Sequence, residues 1–131
     1  MVYPEVLIRS TTRLSRRSSG DLRAIRRATT RIEELSAALD RQLLREARPE
    51  EQLRLLRQTT SQITRTANDA IQAYRRVTEG LRVEADREDA DPTEAARLAE
   101  SLAEARNEML QALEVASQRY PWAKPWRPDD G

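Results

Sequence analysis

The chain of 131 residues contains no cysteine, no histidine and no phenylalanine, and only 3 glycines. Each absence closes off a kind of chemistry. Without cysteine or histidine the usual ligand sets for zinc, haem and iron-sulfur clusters cannot be assembled, and cysteine nucleophiles and histidine general bases are excluded. A ferritin-like di-iron site falls with them, because its Glu-x-x-His pairs cannot be built. No disulfide can form, which fits a reducing compartment. With aromatic residues at 4%, any core has to be aliphatic.

Long apolar runs are also missing. The longest near the start is Val6, Leu7 and Ile8, far short of a signal-peptide core or a membrane span. The pair Arg16, Arg17 is followed by Ser-Ser-Gly-Asp rather than by an apolar segment, so it is not a twin-arginine export signal. The expectation is a protein without a signal peptide or transmembrane segment, cytoplasmic or held within an assembled particle.

What is present is helix-forming sequence. Residues 50–89 contain no proline, and with Leu53 at an a position the a and d sites are Leu53, Leu56, Thr60, Ile63, Ala67, Ala70, Tyr74, Val77, Leu81 and Glu84. The alternation by three and four is that of a coiled-coil seam. The seam is strong at its ends and thin at Thr60, Ala67 and Ala70, where small side chains permit close approach of another helix. Pro49 sits well at a first helical position, with Glu50 and Glu51 facing the positive end of the dipole, so a tight hairpin is expected there rather than a kinked rod. Before it, residues 21–47 carry a seam of Leu22, Ile25, Thr29, Ile32, Ser36, Leu39 and Leu43, supplemented by Ala28, Leu35 and Leu44. Ser18-Ser19-Gly20 reads as a break with Asp21 as N-cap, leaving residues 4–17 as a short separate helix.

A second break falls at residues 89–94, where Asp91 caps, Pro92 takes the first helical position and Glu94 stands at N3. The last helix follows to about residue 119, with Ala95, Leu98, Leu102, Ala105, Met109, Ala112 and Ala116 on its apolar face, widened by Leu110 and Leu113. The expected fold is therefore all-α: an antiparallel three-helix bundle with coiled-coil character, three long helices plus a short N-terminal one. Its divisions are a basic segment 1–20, the bundle 21–119 and an extended Pro/Trp tail 120–131, in which Pro121, Pro125 and Pro128 exclude a helix. At about 1.5 Å rise per residue the middle helix measures about 60 Å and its long neighbours about 40 Å, so part of it needs the N-terminal segment, another chain or solvent beside it.

The net charge of +1 hides a polarity. The first 31 residues carry Arg9, Arg13, Arg16, Arg17, Arg23, Arg26, Arg27 and Arg31 against Glu5 and Asp21, whereas residues 84–114 are dominated by carboxylates. Within these, Arg23, Arg27 and Arg31 form one i, i+4 stripe and Glu100, Glu104 and Glu108 another. Each stripe strains its own helix by about 0.2 to 0.5 kcal/mol per like-charged pair, which suggests that the two meet, within the chain or between chains.

The acidic turn from Glu84 to Asp91 lacks the glycine and terminal glutamate of an EF-hand loop, and reads as a solvated, capping turn. No serine or threonine has a visible base partner, and a narrow bundle leaves little room for a concave site. Neither catalysis, a cofactor, a metal nor a small-molecule substrate is expected. The tail holds Tyr120, Trp122 and Trp126 and reads as a linear anchor for another chain, or alternatively as a flap over its own bundle.

Together these features predict a non-enzymatic structural or adaptor subunit of a larger multiprotein assembly, such as a phage, secretion or similar particle. Its interface residues would be Tyr120, Trp122, Trp126, Glu100, Glu104 and Glu108. The alternative is a small helical subunit of a nucleoprotein complex, contacting phosphates through the eight N-terminal arginines. The discriminating feature is whether those arginines face outward together or pair with the acidic stripe.

Overall fold

The computed structural model describes residues 4–119, and side chains from Leu14 onward except that of Ser15. Three helices account for nearly all of it: α1 (Pro4–Arg45), α2 (Pro49–Ala85) and α3 (Pro92–Arg119). No strand occurs among the described residues.

The turn at Pro49 is a hairpin, as its sequence implies. Arg48 leaves helical geometry at φ −85° and ψ 121°, and Pro49 opens α2. The residue before a proline is driven to extended backbone by the ring, so the stop needs no glycine. The Gln52 side chain then donates to the Glu46 carbonyl at 2.6 Å, and Arg48 donates from its backbone N–H and its Nε to Glu46 Oε1 at 3.1 and 3.0 Å. At the other end Asp91 caps α3: its Oδ1 accepts from the backbone N–H groups of Thr93 and Glu94 at 3.0 and 3.3 Å.

The helices run up, down and up. Asp21 on α1 accepts from Arg76 Nε on α2 at 3.0 Å, Arg106 on α3 lies 6.0 Å from the Tyr74 ring centre, and Arg119 at the end of α3 reaches Asp40 on α1 at 2.6 Å. Between them lies one aliphatic core in which Leu14, Ile25, Ile32, Leu98, Leu102, Met109 and Leu113 pack on Ala67, Ala70, Ala73 and Val77. The thin middle of the α2 seam is thus closed within the chain. Ala67 and Ala73 are fully buried because small side chains let both neighbouring axes approach.

Three expectations are corrected. The chain does not break at Ser18-Ser19-Gly20; α1 passes straight through, so there is no separate short helix. A glycine inside a helix costs about 1 kcal/mol, and burial of Leu14 on one side and Ile25 on the other supplies about 1.5 to 3 kcal/mol each. Both side chains are fully buried, Ser18 is buried between them, and Ser19 returns its hydroxyl to the Arg16 carbonyl at 3.1 Å. Asp21 is accordingly a mid-helix partner of Arg76 and not a cap.

The lengths change with it. With 42, 37 and 28 residues the helices measure about 63, 56 and 42 Å. α1 and α2 match, and α3 is the shortest over the described residues. Finally, Leu44 and Leu53 are not core residues: they are 88% and 43% exposed. They stand at the hairpin end, where only Leu39 and Leu56, with Leu43 and Leu55 against them, form a small second cluster.

Two predictions follow from the backbone and its clasps. A Cβ at Gly20 would meet nothing within 4 Å, so Gly20→Ala should raise stability by about 0.5 to 1 kcal/mol, whereas Gly20→Pro should cost about 3 kcal/mol or more. Denaturant unfolding followed by circular dichroism reads both, and a proline variant as stable as the parent would mean that the helix is broken there. The hydrogen bonds from Arg48 to Glu46 and from Arg82 to Glu79 hold both carboxyls below the usual glutamate value. Their contribution to stability is present above that value and fades as pH falls through the lowered one; carboxyl titration by NMR should show both midpoints depressed.

Candidate interaction surfaces

On α1 the core stripe of Ile25, Ala28, Ile32, Leu35 and Leu39 is buried, and helical periodicity puts Arg23, Arg26, Arg27 and Arg31 on the opposite side. All four are exposed, as are Arg16 and Arg17. Arg23, Arg26, Arg27 and Arg31, with Thr30 and Glu34, line a shallow surface depression. Arg31 touches Glu34 at 3.8 Å, and Arg23 donates to the Ser19 carbonyl at 3.5 Å. Arg16, Arg17, Arg26 and Arg27 make no ion pair with any described residue. The side chains of Arg9 and Arg13 lie outside the described residues.

The acidic stripe is equally open. Glu100, Glu104 and Glu108 are exposed on α3 and form no ion pair with a described residue. The expectation that the two stripes meet within the chain is therefore not met: both face solvent, Arg23, Arg27 and Arg31 behind the α1 core face and the glutamates along α3. Glu108 also borders a half-open groove of about 470 Å³ between α1 and α3, together with Thr29, Glu33, Ser36, Val115 and Arg119. Thr29 satisfies its hydroxyl on the Ile25 carbonyl at 3.2 Å. The groove carries more carboxylates than cations and no activated nucleophile.

The acidic turn after α2 is built around an arginine. Glu84 is buried at 2% exposure, with Arg87 Nη1 at 3.5 Å from its Oε2, and Arg87 Nε also reaches Asp89 at 3.2 Å. Asp91 is taken up in capping α3. No group of three or more potential metal ligands converges among the described residues. Sequence reasoning placed Glu84 at the last seam position but missed its link to Arg87, which an i, i+3 Glu–Arg spacing signals.

The hairpin end is the third open surface. Leu53 shares a shallow depression of about 440 Å³ with Arg57, Thr60 and Ser61 on α2, and Leu44 lies one turn beyond Asp40 on α1. Tyr120, Trp122 and Trp126 lie outside the described residues. No helix among the described residues is long and apolar enough to cross a membrane.

The fold these surfaces decorate is that of an all-helical three-helix bundle. Comparison of the chain with protein-family models, with curated proteins and with solved structures gives no match.

Arg87→Ala would leave the buried Glu84 without its nearby guanidinium and should destabilise the bundle by about 1 to 3 kcal/mol. Glu84→Gln, which removes the buried charge, should cost less. Thermal unfolding of the two variants reads the difference, and an Arg87→Ala chain melting with the parent would mean that the turn does not depend on this pair.

Proposed function

We propose that this protein is a non-enzymatic structural or adaptor subunit of a larger multiprotein assembly, working through helix-helix packing and charge-complementary faces. The observation that carries the reading is the pair of opposite stripes, Arg23, Arg27 and Arg31 on α1 and Glu100, Glu104 and Glu108 on α3, each exposed and unmatched by the other within the chain. Neither contributes to the core. Like charges at i, i+4 cost each helix a few tenths of a kcal/mol per pair, a strain that an oppositely charged partner surface removes. Complementary faces of this kind fix register and raise association rates more than they add raw affinity. An assembly subunit with many neighbours needs those properties.

The thin seam and the unmatched middle helix no longer argue for a partner, because α1 and α3 fill the one and α1 spans the other. The outward arginines do favour a second reading, a helical subunit of a nucleoprotein complex. Arg16, Arg17, Arg23, Arg26, Arg27 and Arg31 present guanidinium groups along one helix, and guanidinium binds phosphate bidentately. If about six phosphates were neutralised, affinity would drop on the order of a thousandfold between about 50 and 200 mM salt.

One set of measurements separates the two. Sedimentation of the purified chain at low ionic strength should show self-association that weakens as salt is added and is lost in either Arg23→Gln, Arg27→Gln, Arg31→Gln or Glu100→Gln, Glu104→Gln, Glu108→Gln triple variants. Mixed-sequence DNA and RNA are titrated in parallel. Tight, steeply salt-dependent binding by a chain that stays monomeric would replace the assembly reading with the nucleoprotein one, and a monomer indifferent to nucleic acid would remove both.

A further inference from the structure

The two charged stripes match one another in height as well as in spacing. Asp40 on α1 meets Arg119 on α3, 79 residues further along the chain. Thr29 and Glu108, and likewise Ser36 and Val115, stand at that same offset and border one groove between the two helices. α1 and α3 therefore run in the same direction and stay level with each other over these turns. By that offset Glu100, Glu104 and Glu108 stand level with Asp21, Ile25 and Thr29, about 3 Å along the axis from Arg23, Arg27 and Arg31. Each stripe spans about 12 Å. Both also point out of the bundle. Arg27 lies midway in sequence between Asp21, which meets Arg76 on α2, and Glu33, which borders α3, and about 120° of helical turn separates it from each. About 160° of turn separates Glu104 from Arg106, which lies by the Tyr74 ring of α2, so Glu104 faces away from α2.

We propose that the partner of each stripe is the opposite stripe on a second copy of this chain, so that α1 of one copy lies beside α3 of its neighbour with Arg27 opposite Glu104. The inference rests on the assembly reading and names its partner. A surface that matches the arginines needs carboxylates at the same i, i+4 spacing on an outward helical face, without ion pairs of their own. Glu100, Glu104 and Glu108 supply that set, and none of them pairs with a described residue. Arg31 touches Glu34 only at 3.8 Å, in a loose contact with both side chains largely exposed, which a closer carboxylate displaces. The arginine stripe is centred close to the middle of α1, so copies joined through it stand side by side rather than end to end. Each stripe is symmetric about its middle residue, and Arg27 therefore meets Glu104 whether the neighbour is parallel or inverted. Exposed ion pairs are individually weak and screened by salt, so the contact is reversible and strongest at low ionic strength.

Charge reversal in the full chain tests the pairing. Arg23→Glu, Arg27→Glu, Arg31→Glu leaves glutamates on both faces, and Glu100→Arg, Glu104→Arg, Glu108→Arg leaves arginines on both. Sedimentation at low ionic strength should find each of these chains monomeric, with circular dichroism unchanged, and should find association restored when they are mixed. A chain carrying both reversals should associate with itself as the parent does, an outcome that a stripe meeting any other surface would not give. A parent that associates while the doubly reversed chain and the mixture do not overturns the pairing of the stripes and leaves the assembly reading standing. A parent that stays monomeric overturns both. Because the chain has no cysteine, single thiols give a second measurement that alters only one exposed residue in each partner. Arg27→Cys and Glu104→Cys chains mixed under mild oxidation should form the mixed disulfide well ahead of either homodimer, and the same yield of all three overturns the proposal.

Discussion

Close approach of three helices along the alanine face of α2 is the constraint on which the rest of the molecule depends. Ala67, Ala70 and Ala73 bury almost no area of their own, but they allow the larger side chains of α1 and α3 to fill the space above them. Ile25, Ile32, Met109 and Leu113 are buried in consequence. A core without phenylalanine and with its tyrosine at the margin reaches close packing in this way, by alternating small and large residues across facing helices.

That constraint sets the polar links. Once the axes are close, Asp21 and Arg76 meet between α1 and α2, and Asp40 and Arg119 between α1 and α3. Both pairs are partly exposed, where such bridges contribute about 0 to 1 kcal/mol. They fix register more than they stabilise. Glu84 is different: its carboxylate is held at 2% exposure with the Arg87 guanidinium beside it, and a buried charge is costly to separate from such a partner.

Much of the fold was legible in residue spacing. Pro49 and the Asp91-Pro92 pair act through local sterics and capping that are the same in any context, so the two turns were readable directly. Ser18-Ser19-Gly20 misled because its local preference for a break is worth about 1 kcal/mol, less than the burial of Leu14 and Ile25 on either side. Leu44 and Leu53 were read as core because heptad spacing records which face a residue occupies and not how deeply that face is covered. The charged stripes were visible in sequence, but their failure to meet was not, since it depends on how α3 is rotated about its axis when Leu98, Leu102 and Met109 turn inward.

The rotation has a consequence for the charges. With the core closed by apolar contacts alone, Arg23, Arg27 and Arg31 and Glu100, Glu104 and Glu108 are left without a task in folding. The like-charged pairs in the two stripes together cost about 1 to 2 kcal/mol, a noticeable share of the roughly 5 to 15 kcal/mol by which domains are stable. Scattered single charges would keep such a surface soluble without that cost. Segregation into two stripes of opposite sign, on different helices and clear of each other, is the feature on which the proposed partner surfaces rest.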